Sequence, residues 1–116
     1  MKLISLLASV CLAGALVASA AAATPVRHTA REAQTNILRA ARVLGRFSPA
    51  LVDPRTRLMK NNSTATCRGI SHVRGTAAAA FICVVSSGRV HVRVRYVAQR
   101  HNGFELRRLK VWRAAA

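Results

Sequence analysis

The sequence FICVVSSGRVHVRVRY, residues 81–96, decides the fold of this chain because it contains two apolar strands and the turn between them. The first part is continuously apolar, and in the second part apolar side chains recur at every second position. Ser87-Gly88 is typical of a two-residue hairpin loop and would place Cys83 opposite Val92. We therefore expect an antiparallel hairpin with one face turned to a core.

The next turn downstream is His101-Asn102-Gly103, since Asn-Gly tolerates the left-handed backbone angles of a tight hairpin. This turn would bring Tyr96 opposite Leu109. The apolar pattern changes phase in this last strand, so we expect a β-bulge at Arg107-Arg108 that returns later side chains to the apolar face.

Upstream, a hairpin that turns about Gly75 places Cys67 opposite Cys83, at a separation that a disulfide can bridge. In an oxidising compartment an even pair of cysteines is more often bridged than free, and closing this loop is worth about 3 kcal/mol in the chain-entropy model. A zinc site and a redox motif fit less well, because histidines do not cluster here and the spacing is not Cys-x-x-Cys.

One helix is expected before the strands, over about residues 29–45. Thr29 and Glu32 form a capping box, apolar residues follow at helical spacing, and Gly45 and Pro49 favour its end. The expected fold class is α+β, with this helix packed across a four-stranded antiparallel meander. After a loop at 46–62, the strands are expected at about residues 63–71, 77–86, 89–99 and 104–113.

In outline, a helix held by a curled antiparallel sheet resembles the arrangement of the cystatins. Cystatins present a Gln-x-Val-x-Gly hairpin to proteases. The corresponding stretch here, residues 99–103, begins with Gln99 and ends with Gly103 but lacks the central valine. The resemblance therefore implies an architecture and no inhibitory residues.

Residues 1–23 have the pattern of a cleavable signal peptide, with Lys2, a long apolar run and a series of small residues before Thr24. Cleavage leaves one domain, residues 24–116, in a secreted, periplasmic or otherwise extracytoplasmic location. An uncleaved anchor is the alternative, because an apolar run of this length reaches the roughly 20 residues that a spanning helix needs. That alternative would tether the basic domain to a membrane surface.

The charge balance is strongly basic, with 19 Lys and Arg against 3 Asp and Glu. Without Lys2, the domain keeps 18 basic residues against the same 3 acidic ones, a formal charge of +15. Acidic polymers, an anionic membrane surface or nucleic acid bound without sequence specificity are the partners that such a charge favours. A compositional bias that serves only solubility is the competing interpretation.

The expected register groups several cations on the sheet face away from the helix. In this register Lys110 lies opposite Arg95, and Trp112 lies opposite Arg93. Opposed like charges destabilise a hairpin unless an anion lies between them, and an indole can stack on a cation or a ring. The alternative is that Trp112 merely covers its neighbours. The candidate anion-binding residues are His91, Arg93, Arg95, Lys110 and Trp112.

No catalytic constellation is evident, so we expect a non-catalytic binding domain that needs neither cofactor nor metal. A small secreted nuclease is the alternative, since such enzymes also place a glutamate, arginines and a histidine on an antiparallel sheet. Glu105 and His91 would lie at opposite ends of their strands, which disfavours it.

Overall fold

A computed structural model describes residues 24–115. The predicted signal peptide, residues 1–23, lies outside these described residues. The fold class is α+β, as expected, with a four-stranded antiparallel sheet packed against two α-helices in the described region. The elements are β1 His28–Thr29, α1 Ala30–Leu38, α2 Ala41–Phe47, a 3₁₀ helix Pro49–Leu51, β2 Thr64–Ser71, β3 Ala77–Ala78, β4 Ala80–Ser87, β5 Val90–Ala98 and β6 Phe104–Arg113.

The main sheet has the sequential order β2-β4-β5-β6, which confirms the predicted meander. The predicted strand 77–86 is divided, because β3 leaves the main sheet and pairs with β1 as a separate two-stranded ribbon. These two-residue strands are too short to produce an alternating pattern, so sequence reasoning missed the ribbon. None of the helices within residues 24–115 has the length and apolar character needed to cross a bilayer.

The prediction of one continuous helix over residues 29–45 is wrong, because the chain turns at Arg39 and Ala40. The start is correct: the Thr29 hydroxyl accepts from the Glu32 N–H, and the Glu32 carboxylate accepts from the Thr29 N–H. At the break, the Ala40 N–H donates to the Ile37 carbonyl, which tightens the last turn. The turn separates α1, which packs on β2 and β4, from α2, which contacts β6 and the 3₁₀ helix.

Gly45 does not end the helix but lies inside α2, which continues to Phe47. A Cβ at position 45 would come 3.3 Å from Val52 Cγ2, so glycine permits the close approach of the following loop. Pro49 then begins the 3₁₀ helix after the extended cap residue Ser48. The remaining loop closes through an isolated bridge between Val52 and Met59.

The turn between β4 and β5 lies one residue later than predicted. Gly88 and Arg89 form it, and Gly88 supplies the left-handed angle, with φ of +57°. Cys83 is therefore opposite Val94 rather than Val92. A shift of two positions leaves every side chain on its predicted face, because side chains alternate with a period of two.

The turn between β5 and β6 lies one residue earlier than predicted, because its two central residues are His101 and Asn102 instead of Asn102 and Gly103. His101 and Asn102 both have positive φ, and the Gly103 N–H donates to the Arg100 carbonyl. Because the turn lies earlier and the β-bulge lies later in β6 than predicted, Tyr96 is opposite Leu106, not Leu109.

The β-bulge in β6 is present but displaced from the predicted position at Arg107-Arg108. Lys110 pairs with Arg93 and Arg108 pairs with Val94, so the additional residue is Leu109. Beyond the bulge, Val111 lies opposite the fully buried Val92 and therefore on the same face of the sheet, but its own side chain is 41% exposed on the edge strand.

The predicted disulfide is confirmed: Cys67 and Cys83 are directly opposite, with their sulfur atoms at bonding distance and their Cα atoms 4.1 Å apart. The Cys67 N–H does not bond to β4 but donates to Oε1 of Gln34 at 3.1 Å. This geometry is that of a non-hydrogen-bonded cross-strand pair, in which backbone groups point away from the partner strand. Gln34 thus connects α1 to the edge strand at the disulfide.

A buried polar network fixes the amino-terminal end of the domain on the sheet. His28 Nε2 donates to the Gln99 carbonyl at 3.0 Å, and Nδ1 of the same ring is hydrogen-bonded to the Tyr96 hydroxyl. The same hydroxyl accepts from Nδ2 of Asn36 at 2.9 Å, and this nitrogen also donates to Oδ1 of Asn102 at 2.9 Å. Burial raises the pKa of Tyr96 above its ordinary value.

Candidate anion-binding face

The helices cover one face of the main sheet, and its opposite face carries exposed cations. Cys83, Val92 and Val94 are fully buried on the covered face, whereas Arg93 and Arg95 are exposed. We call the second face the outer face and define it by the side chains that alternate with these core residues. It includes Thr64, Thr66, Arg68, Ile82, Val84, Ser86, His91, Arg93, Arg95, Val97, Glu105, Arg107, Lys110 and Trp112. The structure places all five predicted site residues on it.

Two like-charge pairs lie next to each other on the outer face. Arg93 is directly opposite Lys110, and Arg95 is directly opposite Arg107. The predicted pairs, Lys110 with Arg95 and Trp112 with Arg93, are wrong because the turn and the bulge lie elsewhere. The correction concentrates the charge, since each arginine on β5 now has a cation as its cross-strand neighbour.

Trp112 lies at one end of this row of cations and contacts three of the predicted residues. Its ring stacks on the His91 imidazole, with centroids 5.2 Å apart and planes inclined by 24°. Arg93 Cζ lies 5.4 Å and Lys110 Nζ lies 5.7 Å from the indole centroid. Cation–π attraction of about 0.5–1 kcal/mol at an exposed site offsets part of the repulsion between the two cations.

Ser86 is a polar member of the site that sequence reasoning missed. Its Oγ lies 2.6 Å from Nδ1 of His91, directly across the strands. The shift in the hairpin register creates this pair, because the predicted turn would have paired Ser86 with Arg89. Two contacts therefore orient the His91 imidazole: the Ser86 hydroxyl at Nδ1 and the Trp112 ring on its face.

Two shallow grooves run along the outer face beside the charged row. Ile82 and Val84 form the apolar part of the first groove, and Thr66, Arg68 and Arg93 line it with Cys67. The second groove lies between β5 and β6 and is lined by Arg95, Val97, Glu105, Leu106 and Arg107. Arg68 and Arg107 were not among the predicted site residues. The alternation of side chains along β2 would have placed Arg68 on this face, whereas Arg107 was predicted to be part of the β-bulge.

The carboxylates are not assembled with His91 into a catalytic group. Glu105 pairs with Val97, roughly 20 Å along β5 from His91 at about 3.3 Å per residue. Glu32 is used in the capping box, and the Asp53 carboxylate accepts from the Arg55 N–H at 2.8 Å. Within the described part of the chain, no group of three or more His, Cys, Asp or Glu residues is arranged to hold a metal ion.

The geometry defines the candidate class of site as a cationic sheet face with one aromatic end. Comparison with protein-family models, curated proteins and solved structures finds no match for this chain.

Proposed function

We propose that this protein is a secreted or periplasmic binding domain, without catalytic activity, whose partner is an acidic polymer of the extracytoplasmic space. The observation that carries the proposal is the pair of adjacent like-charge contacts, Arg93 with Lys110 and Arg95 with Arg107. Directly opposed like charges destabilise a sheet by up to about 1 kcal/mol, and a bound polyanion turns this repulsion into attraction. Without a partner, the arrangement has an energetic cost.

The repeat of the cations supports an extended ligand. Side chains on one face of a strand recur every second residue, at about 7 Å. Arg93 and Arg95 follow this repeat on β5, and Arg107 and Lys110 lie beside them on β6. A flexible polymer with anionic groups along its length can contact both rows, whereas one small anion can neutralise only part of this surface.

A soluble polymer fits this face better than a membrane or a specific nucleic-acid sequence. The exposed large apolar side chains are divided between loops (Leu58, Val73) and the two edge strands (Ile70, Leu109, Val111), so they are not concentrated on the outer face as a surface that inserts into lipid. The single tryptophan of the chain already contacts His91, Arg93 and Lys110, which limits stacking on bases. The expected interaction is therefore governed by charge and weakens steeply with salt.

Two observations support the proposed location outside the cytoplasm. Residues 1–23 carry the signal-peptide pattern, and the Cys67–Cys83 disulfide is compatible with an oxidising compartment. The mass of the exported protein tests cleavage: loss of the first 20 to 23 residues supports it, and an intact chain held in the membrane fraction contradicts it. The cystatin-like outline adds no inhibitory role to the proposal, because the hairpin at 99–103 lacks the required valine.

Polyphosphate, a linear polyanion, is the probe for the binding test. Trp112 is the only tryptophan, so its emission reports binding at the outer face directly. We expect saturable binding at low salt that is lost at high salt. The Arg93→Glu, Arg95→Glu double variant should bind at least tenfold more weakly than the wild type.

The matched control is Arg31→Glu with Arg42→Glu, which changes the net charge equally. Both residues are exposed, and each lies in the first turn of its helix, where a carboxylate is favourable. Equal losses in the two double variants would mean that only net charge matters. RNA and anionic vesicles form separate arms: cleavage of RNA, or preference for vesicles over polyphosphate, would contradict the proposal.

A further inference from the structure

A second basic site lies in a cleft at the end of the sheet, beside the turn between β4 and β5. Lys60, Arg89 and Arg113 contribute three cations from separate parts of the chain. Asn62 and Ser87 add an amide and a hydroxyl, and both groups can donate to an anion. Ala50, Gly88 and Val90 complete the lining. We propose that this cleft binds a compact oxyanion of the class of a terminal phosphate group.

The backbone holds the three basic residues in fixed positions. The Ala114 N–H donates to the Arg89 carbonyl at 2.8 Å, and Val90 pairs with Arg113, so the turn and the end of β6 are joined. The Lys60 N–H donates to the Leu51 carbonyl at 3.1 Å. Since these segments are fixed before binding, an anion that binds between them causes no ordering cost for the backbone.

The chain supplies no acidic side chain to neutralise the cleft. Its three carboxylate side chains are those of Glu32, Asp53 and Glu105, and none of them lines the cleft. Glu32 and Asp53 accept hydrogen bonds from the backbone, and Glu105 lies at the opposite end of the sheet. Three basic residues that line one cleft, with two neutral donors beside them, are suited to an anion with more than one charge and several acceptor oxygens.

The cleft is distinct from the outer face, so this proposal does not depend on the proposed function. Val90 and Arg113 alternate with His91 and Trp112 along their strands, and they therefore point to the other side of the sheet. An anion in the cleft contacts neither Arg93 nor Arg95. The two sites can consequently be inactivated one at a time.

Calorimetric titrations with inorganic phosphate and, separately, with glycerol phosphate test the cleft. We expect one equivalent to bind to the wild type, with amide NMR shifts confined to Gly88, Arg89, Arg113 and their neighbours. The Arg89→Gln, Arg113→Gln double variant should lose at least tenfold in affinity. Binding of inorganic phosphate alone indicates a free ion, and binding of both probes indicates the terminal phosphate of a larger molecule; each result supports the proposal.

The matched control is Arg93→Gln with Arg95→Gln, which removes the same charge from the outer face and should keep phosphate affinity within twofold. Lys60→Gln, a single change in a loop, provides a second cleft variant if the double variant does not fold. Failure of both probes to saturate the wild type would overturn the proposal. An equal loss of affinity in cleft and outer-face variants would overturn it as well.

Discussion

Arg93 and Lys110 lie directly opposite each other on β5 and β6, and both cationic groups lie beside the Trp112 indole. The neighbouring pair, Arg95 and Arg107, has the same like-charge relationship, but no aromatic contact accompanies it in the described structure. Comparing the two pairs therefore distinguishes the destabilisation caused by like-charge repulsion from the stabilisation that cation–π contacts with the indole add.

Arg107→Gln should stabilise the protein in the absence of a polyanion. The substitution removes the repulsion with Arg95, so the free energy of unfolding should rise by up to about 1 kcal/mol at low salt, as expected for opposed like charges. Arg93→Gln should give a smaller gain because it also removes the contact with Trp112. Urea denaturation at low and high salt measures both changes. A gain that persists undiminished at high salt would show that repulsion is not its cause.

The disulfide should contribute substantially to stability. Cys67→Ala with Cys83→Ala should lower the free energy of unfolding by about 3 kcal/mol, since the bridge closes a loop of 16 residues. Reduced wild-type protein is the control and should be destabilised to a similar extent. Mass spectrometry of the alkylated, exported protein checks the bond itself. Two alkylated thiols without prior reduction would refute the bridge.

The capping box should make the stability of α1 depend on acidic pH. The backbone N–H of Thr29 donates to Glu32 and lowers the pKa of that carboxyl. A pKa that is lower in the folded protein than in the unfolded chain stabilises the fold above about pH 4.3, the ordinary value, and this contribution is lost as pH falls through the folded pKa.

Glu32→Ala should therefore lower the free energy of unfolding by about 0.5 kcal/mol near pH 7, with the difference disappearing in acid. Glu32→Gln is the matched control, because it keeps an oxygen acceptor for Thr29 without a titratable charge. Thermal denaturation between acidic and neutral pH measures the effect. A difference between wild type and Glu32→Ala that is independent of pH would exclude the carboxylate as its source.

Tyr96→Phe should destabilise the protein by about 1–3 kcal/mol, because His28 and Asn36 would keep buried polar atoms without their hydroxyl partner. Burial raises the pKa of Tyr96, so its contribution is complete below about pH 10, the ordinary value for tyrosine, and is lost as pH rises through the folded pKa. Because Tyr96 is the only tyrosine, its absorbance reports this titration alone. An ordinary pKa for Tyr96 in the folded protein would contradict the prediction.

The strands were predictable because alternation and turn residues are local properties. Alternation assigned Cys83, Arg93 and Arg95 to their faces even though both downstream turns lie one residue from their predicted positions. The break at Arg39 and Ala40 was not predictable, since neither a glycine nor a proline marks it. Its explanation is tertiary: α1 and α2 pack on different parts of the molecule.

The sequence by itself determined the faces of the sheet, the pairing of Cys67 with Cys83 and the excess of cations, because these follow from a two-residue repeat and from composition. Only the tertiary structure decided which cations oppose each other and which meet in the cleft. A slip of two residues leaves apolar side chains on the same face, so the apolar pattern does not reveal it. The slip and the displaced bulge in β6 nevertheless change the cross-strand partners of both Arg93 and Arg95. The cleft of Lys60, Arg89 and Arg113 likewise depends on contacts between segments that are distant in sequence.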